Sequence, residues 1–284
     1  MNMSGENLAF ELRTADGVNL AGQAWLPPGC CAMIAVVHGI AEHSGRYAFL
    51  AERANRQDIG LVSVDLRGHG RSPGERSYVE RFDDYLLDVD ALLAKAQEFA
   101  VGRPLFLMGH SMGGAIALRW LAQRRQPLAG LVLSSAALKI GGDVPRLLVA
   151  LAPLLSRSLP HLRGTRLDPA LISRDPAAVA AYVGDPLVSL QAPPARTGAE
   201  LLRIMTVNRV SAPGLDVPVY LFHGDADRLT DPAGSREIFD LWGGSDRSLR
   251  LWPGSRHETL NDLDREAVAA ELLDWVRAHI PKGD

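Results

Sequence analysis

The sequence is poor in the features that mark several specialised classes of protein. Only two residues are cysteine, and these are adjacent, Cys30 and Cys31. Neighbouring cysteines are badly placed for an unstrained bridge, so we expect no disulfide framework. The formal net charge is only -3. So nearly balanced a charge gives no basic surface for nucleic acid, and we expect no such partner.

Long apolar stretches are also missing. The first ten residues lack a basic segment followed by an apolar one, so no signal peptide is expected. No uninterrupted apolar run reaches the roughly 18 residues that a membrane span needs. We therefore expect a cytoplasmic protein. A length of 284 residues, 47% of them hydrophobic, suits one large domain or one domain with an insertion.

Short apolar runs alternate with helical patterns along most of the chain. Asp16-Gly17 joins two extended patterns, which predicts a hairpin of residues 8–14 and 18–26. Further strands are predicted at residues 33–37, 60–64, 105–108, 128–133, 217–222 and 248–252. Helices are predicted at about residues 46–56, 85–96, 113–124, 234–242 and 265–280. This alternation predicts an α/β fold with a mostly parallel sheet covered by helices on both faces.

The alternation stops between residues 136 and 212. This segment is rich in proline and has several helical stretches but no convincing strand. We predict a core domain made of residues 1–135 and 213–284. Residues 136–212 then form a helical insertion, here called the cap, above the carboxyl ends of the strands.

One strand leads directly into a candidate nucleophile. Residues 109–113 read Gly-His-Ser-Met-Gly, which matches the G-x-S-x-G nucleophile elbow. The pattern alone is weak, but a predicted strand precedes it and a predicted helix follows it, as the elbow requires. The alternative is a glycine-rich turn with a capping serine. We predict that Ser111 is the nucleophile.

A serine hydroxyl needs a base, and in this arrangement an acid and then a histidine follow the serine in sequence. His279 lies within the last predicted helix, whereas His257 lies just past a strand end, so His257 is the predicted base. For the acid, Asp225, Asp227 and Asp231 compete on position alone.

The reaction also needs hydrogen-bond donors for the tetrahedral oxyanion. The backbone N–H of Met112 supplies one by geometry, and the N–H of Ile40, in the loop after an early strand, is the expected second. His38 and His43 lack a clustered third ligand with zinc-like spacing. We therefore expect no metal and no other cofactor.

Several motifs together resemble the monoacylglycerol lipase and lysophospholipase family of α/β-hydrolases. They are residues 38–47 (HGIAEHSGRY), 65–72 (DLRGHGRS), 109–114 (GHSMGG), 182–187 (YVGDPL) and 223–229 (HGDADRL), in the family's order and spacing. The likeness covers nearly the whole chain. It implies an α/β-hydrolase fold with a helical cap, and it places the acid on Asp227. One departure is Ala41, where many relatives have a second glycine.

The resemblance also implies a substrate, a carboxylic ester with one long acyl chain. In the cap, five leucines have helical spacing in a helix that Pro145 suits at its start and that Pro153 should end or kink. They are Leu147, Leu148, Leu151, Leu154 and Leu155. This stripe either packs the cap onto the core or lines an acyl tunnel and contacts a lipid surface. Leu151 and Tyr182 are therefore candidate substrate-binding residues, with Tyr182 at the alcohol end.

Other functions fit the same residues. Lysophospholipids, thioesters and small activated esters are alternative substrates, and an acyltransferase would need an acceptor that outcompetes water. Dehalogenases and epoxide hydrolases of this fold use an aspartate nucleophile, which Ser111 argues against. A non-catalytic ligand-binding protein is the alternative from another class, although all three triad positions are filled.

Overall fold

A single sheet of eight strands forms the centre of the protein. The computed structural model describes residues 6–142, 146–164 and 168–281. The strands are β1 (Glu6–Arg13), β2 (Asn19–Leu26), β3 (Ala32–Val37), β4 (Ile59–Val64), β5 (Leu105–His110), β6 (Gly130–Ser134), β7 (Val219–Gly224) and β8 (Arg247–Trp252). Their spatial order is β1-β2-β4-β3-β5-β6-β7-β8.

The first two strands form the predicted antiparallel hairpin, and β2 also pairs antiparallel with β4. All other neighbours are parallel. Every residue of β3, β4, β5, β6 and β7 is buried. Strands buried on both faces read as continuous apolar runs, which is how the sequence predicts them. The mostly parallel α/β sheet is confirmed.

Helices cover both faces of the sheet, over two separate clusters of buried apolar side chains. The core helices are α1 (Ala48–Asn55), α2 (Asp84–Ala100) and α3 (Met112–Arg124). Three more helices come between β6 and β7 in the sequence: α4 (Arg146–Ser158), α5 (Pro176–Gly184) and α6 (Ala195–Ser211). The last two are α7 (Pro232–Leu241) and α8 (Arg265–Ala278). None of the described helices is both long and apolar enough to span a bilayer.

Several predicted bounds differ from the observed ones, among them the starts of one helix and of one strand. The helix expected from residue 46 begins as a 3₁₀ turn, Ser44–Tyr47, because Asp65 accepts hydrogen bonds from the Ser44 N–H and hydroxyl and holds the chain there. The strand expected from residue 128 begins at Gly130. A side chain at Gly130 would lie 2.5 Å from the Trp275 ring, so only glycine fits beneath α8.

The predicted cap holds the three helices α4, α5 and α6, and its limits at residues 136 and 212 stay a prediction. Pro145 lies outside the described residues, as does the side chain of Leu148. Pro153 does not end α4, which continues to Ser158. At the end of the cap, α6 packs on the core, where the amide of Asn208 donates to the carbonyl oxygen of Ala115 in α3.

Candidate active site

Ser111 lies in a sharp turn between β5 and α3, with its backbone at φ 52° and ψ −120°. A positive φ is uncommon for a residue with a side chain and costs about 1–3 kcal/mol. Hydrogen bonds hold the turn: the Ser111 N–H donates to Ser134, and the Ser111 carbonyl accepts from the N–H of Gly114 and Ala137. The strained backbone is thus imposed by β6 and the start of α3.

The glycines of the motif are there because the chain folds back on itself at close range. A Cβ at Gly109 would lie 2.3 Å from the Gly113 carbonyl oxygen, and one at Gly113 would lie 2.1 Å from that of Val37. At Gly114 it would lie 2.5 Å from Ala136 Cβ. No side chain fits at these distances, so the elbow requires glycine on both sides of Ser111.

His257 follows β8 and contacts one aspartate of the three that the sequence leaves open. Its Nδ1 donates to Asp227 Oδ2 at 2.7 Å. Asp225 instead accepts from the Gly254 N–H, and Asp231 caps α7 and pairs with Lys139. The geometry therefore brings Asp227, and neither of its neighbours, to the predicted base.

Asp227 is the acceptor of a dense set of hydrogen bonds. Besides His257, its Oδ2 accepts from His223 Nε2 at 2.9 Å and from the Thr230 hydroxyl at 2.8 Å. Its Oδ1 accepts from the N–H of Leu229 and Thr230. Burial opposes ionisation, but the charge of His257 and these hydrogen bonds outweigh it, and the pKa of Asp227 falls well below its usual range.

The same pair determines the protonation of His257. Burial favours the neutral ring, but the adjacent Asp227 carboxylate outweighs burial and raises the pKa of His257 above its ordinary value. Because Nδ1 is the donor to Asp227, the neutral ring has its lone pair on Nε2. Among the described residues, no hydrogen bond joins Ser111 Oγ to this ring. Such catalytic bonds are often long without substrate.

The loop of the predicted oxyanion donor Ile40, here called the oxyanion loop (residues 38–43), lies directly against Ser111, the predicted nucleophile. A Cβ at Gly39 would be 3.2 Å from Ser111 Cβ. Within the part of the chain that the structure describes, the N–H groups of Ile40 and Met112 have no hydrogen-bond partner. Met112 is the first residue of α3, where helical N–H groups have no intrahelical acceptor. Both predicted donors are thus free to bind an anion.

Buried histidines support this loop rather than the chemistry. His38 Nδ1 donates to the Gly39 carbonyl at 2.7 Å, and its Nε2 accepts from the Leu66 N–H at 2.9 Å. Burial lowers the pKa of His38, and burial lowers that of His69 to about 3. His69 packs edge-on against His38.

His279, the other candidate base in the sequence, is hydrogen-bonded to Trp275 and Asp246 and does not contact Asp227.

A buried ion cluster joins the oxyanion loop to the loop that carries His257. Glu42 accepts from the Gly39 N–H at 2.6 Å and from the Tyr47 hydroxyl at 2.9 Å. Arg46 donates to Glu42 at 3.0 Å and, through two nitrogens, to Glu258 at 2.6 and 2.7 Å. Burial would raise the pKa of Glu42, but Arg46 outweighs it and the pKa is about 2.

The cap contacts the oxyanion loop through one short segment. The Ser189 N–H donates to the carbonyl oxygen of Ala41, whose φ is 69°. His43 Nε2 donates to Asp185 Oδ2 at 2.8 Å. Tyr182 is half-buried, with its ring centre 4.7 Å from the guanidinium carbon of Arg46. The segment that resembles the family's cap motif therefore packs on the predicted active site.

The leucine stripe of α4 faces away from the core over most of its length. Leu147, Leu151 and Leu154 are 71%, 40% and 61% exposed, whereas Leu155 is half-buried. The interpretation that this stripe packs the cap onto the core is wrong for Leu147 and Leu154, which are mostly exposed, and Leu151 is exposed in part. They form an apolar surface on the cap.

Sequence reasoning assigned no role to several residues that contact the site. His223 and Thr230 lie within or beside the motif that contains Asp227, so proximity in sequence was the available signal. Arg46 and Glu258 are 212 positions apart, and nothing in either motif indicates that they pair. Of the described residues, no group of three or more histidine, cysteine or acidic side chains is arranged to hold a metal ion.

Comparisons with known proteins agree with the motifs. The family model described as serine aminopeptidase, S33, matches residues 29–264. The chain is 32% identical to the monoacylglycerol lipase of Mycolicibacterium smegmatis over 93% of its length and 95% of that protein. It is 35% identical to the monoglyceride lipase of Homo sapiens, over 93% and 89%. The crystal structure of Paleococcus ferrophilus monoacylglycerol lipase superposes with a TM-score of 0.83 at 33% identity, over 92% and 99%.

Proposed function

This chain belongs to the serine aminopeptidase S33 family of α/β-hydrolases, and we propose that it hydrolyses carboxylic esters with a single acyl chain, most specifically monoacylglycerols. The monoacylglycerol and monoglyceride lipases named above are 32–35% identical to this chain over nearly their whole length. The chain is a serine hydrolase of the lipase and esterase type. The observation that carries the proposed chemistry is the contact of His257 with Asp227 beside the elbow at Ser111, and the proposed substrate rests on the similarity to these relatives.

In the proposed reaction, Ser111 Oγ attacks the ester carbonyl carbon while His257 Nε2 accepts its proton. The N–H groups of Ile40 and Met112 donate to the oxyanion. When the carbon–oxygen ester bond breaks, His257 returns the proton to the departing alcohol and leaves an acyl group on Ser111. A water molecule, activated by the same histidine, then releases the fatty acid and restores the serine.

The cap supports the proposed substrate class. An amphiphilic ester must leave a lipid aggregate to enter the site, and Leu147, Leu151 and Leu154 give the cap an exposed apolar surface. Such a surface favours transient contact with a lipid aggregate or membrane. We propose that Tyr182, which lies on Arg46 beside the oxyanion loop, meets the alcohol half of the ester.

The test is a panel of esters with one acyl group. We expect monoacylglycerols of medium to long chain to be cleaved with a higher kcat/KM than short acetates or triacylglycerols. Each buried methylene contributes about 0.8 kcal/mol, so kcat/KM should rise several-fold per carbon until the acyl site is full. Ser111→Ala is the control for background hydrolysis.

A fluorophosphonate probe separates this proposal from a non-catalytic one. We expect the probe to label the wild type and not Ser111→Ala. Preference for lysophospholipids or acyl thioesters in the panel would replace the proposed substrate but keep the chemistry. An unlabelled wild type would contradict the proposed mechanism itself.

A further inference from the structure

We propose that Arg46 is a positioning residue for ester hydrolysis, which fixes the oxyanion loop relative to the loop that carries the general base. The inference rests on the proposed function, because it assigns Arg46 a role only through His257 and the oxyanion donors. Arg46 acts through Glu42 on one side and Glu258 on the other.

On the oxyanion side, the chain of contacts runs from Arg46 to the nucleophile in three steps. Arg46 donates to one oxygen of Glu42, whose other oxygen accepts from the Gly39 N–H at 2.6 Å. Gly39 packs on Ser111 Cβ and precedes Ile40, the predicted oxyanion donor. A shift of Glu42 therefore moves the peptide that carries this donor. Misplacement of a reacting group by about 1 Å can cost on the order of 100-fold in rate.

On the side of the base, Arg46 forms a two-pronged bond to Glu258, the residue directly after His257. Glu258 is itself fixed: its N–H donates to the carbonyl oxygen of Ile172 and its carboxylate accepts from Asn261. Two parallel bonds between a guanidinium and a carboxylate fix orientation as well as distance. Arg46 therefore fixes the backbone around His257 as well as the oxyanion loop.

Packing alone does not explain a buried cluster of three charged side chains, because removing charges from water costs free energy. The side chains of Arg46, Glu42 and Glu258 are only 10%, 4% and 6% exposed. One buried cation serves two buried carboxylates, and burying such charges contributes little to stability compared with apolar packing. Its clear effect is geometric, since it joins two loops that are 212 residues apart in sequence.

The cluster also acts on His257 through its charge. Glu258 and Glu42 both favour the protonated ring, and the cation of Arg46, which lies between them, should act in the opposite direction. The other titratable groups that face His257 are Asp227, which bonds to it, and His110, whose ring centre lies 4.9 Å away. His223 reaches it only through Asp227. Removing Arg46 should therefore raise the pKa of His257, and removing the charge of Glu258 should lower it.

The experiment compares Arg46→Gln, Arg46→Lys and Glu258→Gln on a short p-nitrophenyl ester. For both Gln variants we expect kcat to fall roughly 10–100-fold while KM changes less than about threefold. The pH midpoint of kcat/KM should move upwards in Arg46→Gln and downwards in Glu258→Gln, each on the order of half a unit. Arg46→Lys keeps the charge but loses the two-pronged bond, so it should lower kcat with little change in midpoint.

Arg53→Gln is the matched control, because Arg53 also pairs with a glutamate, Glu266, and lies over an aromatic ring, but away from the site. It should keep the wild-type kcat and midpoint. General loosening would shift both Gln variants in one direction, in step with a lower melting temperature, and that result overturns the proposal. Wild-type kcat and midpoint in a folded Glu258→Gln would overturn it too.

The proposed function is tested separately in the same assay. If Ser111→Ala retains the activity, the proposed function fails. If Ser111→Ala is inactive and the Arg46 and Glu258 variants behave as the wild type, only the positioning role fails. Should Arg46→Gln not fold, Glu258→Gln and Arg46→Lys still decide the question.

Discussion

His257 Nδ1 lies 2.7 Å from Asp227 Oδ2, across the carboxyl ends of two adjacent parallel strands, β7 and β8. The same carboxylate oxygen accepts from His223 and Thr230. Because these hydrogen bonds fix the Asp227 carboxylate, Asp227 keeps the imidazole of His257 in one orientation, with Nε2 free to take a proton.

Replacement of the proposed nucleophile should abolish turnover without unfolding the protein. Ser111→Ala should lower kcat roughly a million-fold, and His257→Ala about as much, because the two act as a unit. The measurement is ester hydrolysis with circular dichroism as the check on folding. A variant that kept most of its activity would remove that residue from the mechanism.

Among the three aspartates, we expect only one to matter for the chemistry. Asp227→Asn should lower kcat on the order of 10⁴-fold, since an amide favours the wrong imidazole tautomer. Asp225→Asn and Asp231→Asn are the matched controls and should be far milder, because they bond to Gly254 and to the start of α7. If Asp225→Asn were the slowest of the three, the acid would have to be reassigned.

The pH dependence follows from the raised pKa of His257. The ring acts as a base only when neutral, so kcat/KM should be low at acidic pH and rise as the proton leaves. Because the pKa is raised, the midpoint should lie above the ordinary histidine value of about 6.5. Asp227, with its lowered pKa, stays ionised throughout. A midpoint below the ordinary value of about 6.5 would contradict this account.

A charge on the exposed stripe of the cap should separate long from short substrates. Leu151→Glu should lower kcat/KM for long-chain esters several-fold and leave a short p-nitrophenyl ester unchanged, since the triad is untouched. Leu241→Glu, at the end of α7 and similarly exposed, controls for a new surface charge. Equal loss on both substrates would mean that Leu151 serves only the structure of the cap.

The strained alanine of the oxyanion loop offers a test of stability. Ala41 has φ 69°, a conformation that glycine adopts without steric cost. Ala41→Gly should therefore stabilise the fold by about 1 kcal/mol. Ala48→Gly, in the αR region at φ −56°, should destabilise it by about 0.5–1 kcal/mol. Opposite shifts in melting temperature would support the argument; a loss in both would refute it.

The sequence was informative wherever the determinants are local. The elbow needs glycines within three residues of Ser111, and buried parallel strands appear as unbroken apolar runs. The acid could not be chosen from the residues alone, because the choice depends on which carboxylate reaches His257 across the sheet. The need for glycine at position 130 could not be predicted for a similar reason: the close approach of Gly130 and Trp275 joins residues that no local pattern connects.

The pairing of β6 with β7 has a consequence for how the protein folds. These neighbours, paired from Leu131 with Val219 onwards, are separated in sequence by all of residues 136–212. Closing so long a loop carries an entropic cost before any contact compensates for it, and distant parallel pairing is intrinsically slow. Ser111 lies on one side of this junction, and Asp227 and His257 lie on the other. A nascent or refolding chain can therefore form the elbow at Ser111 before Asp227 and His257 reach it, and the predicted triad is complete only after β7 has paired with β6.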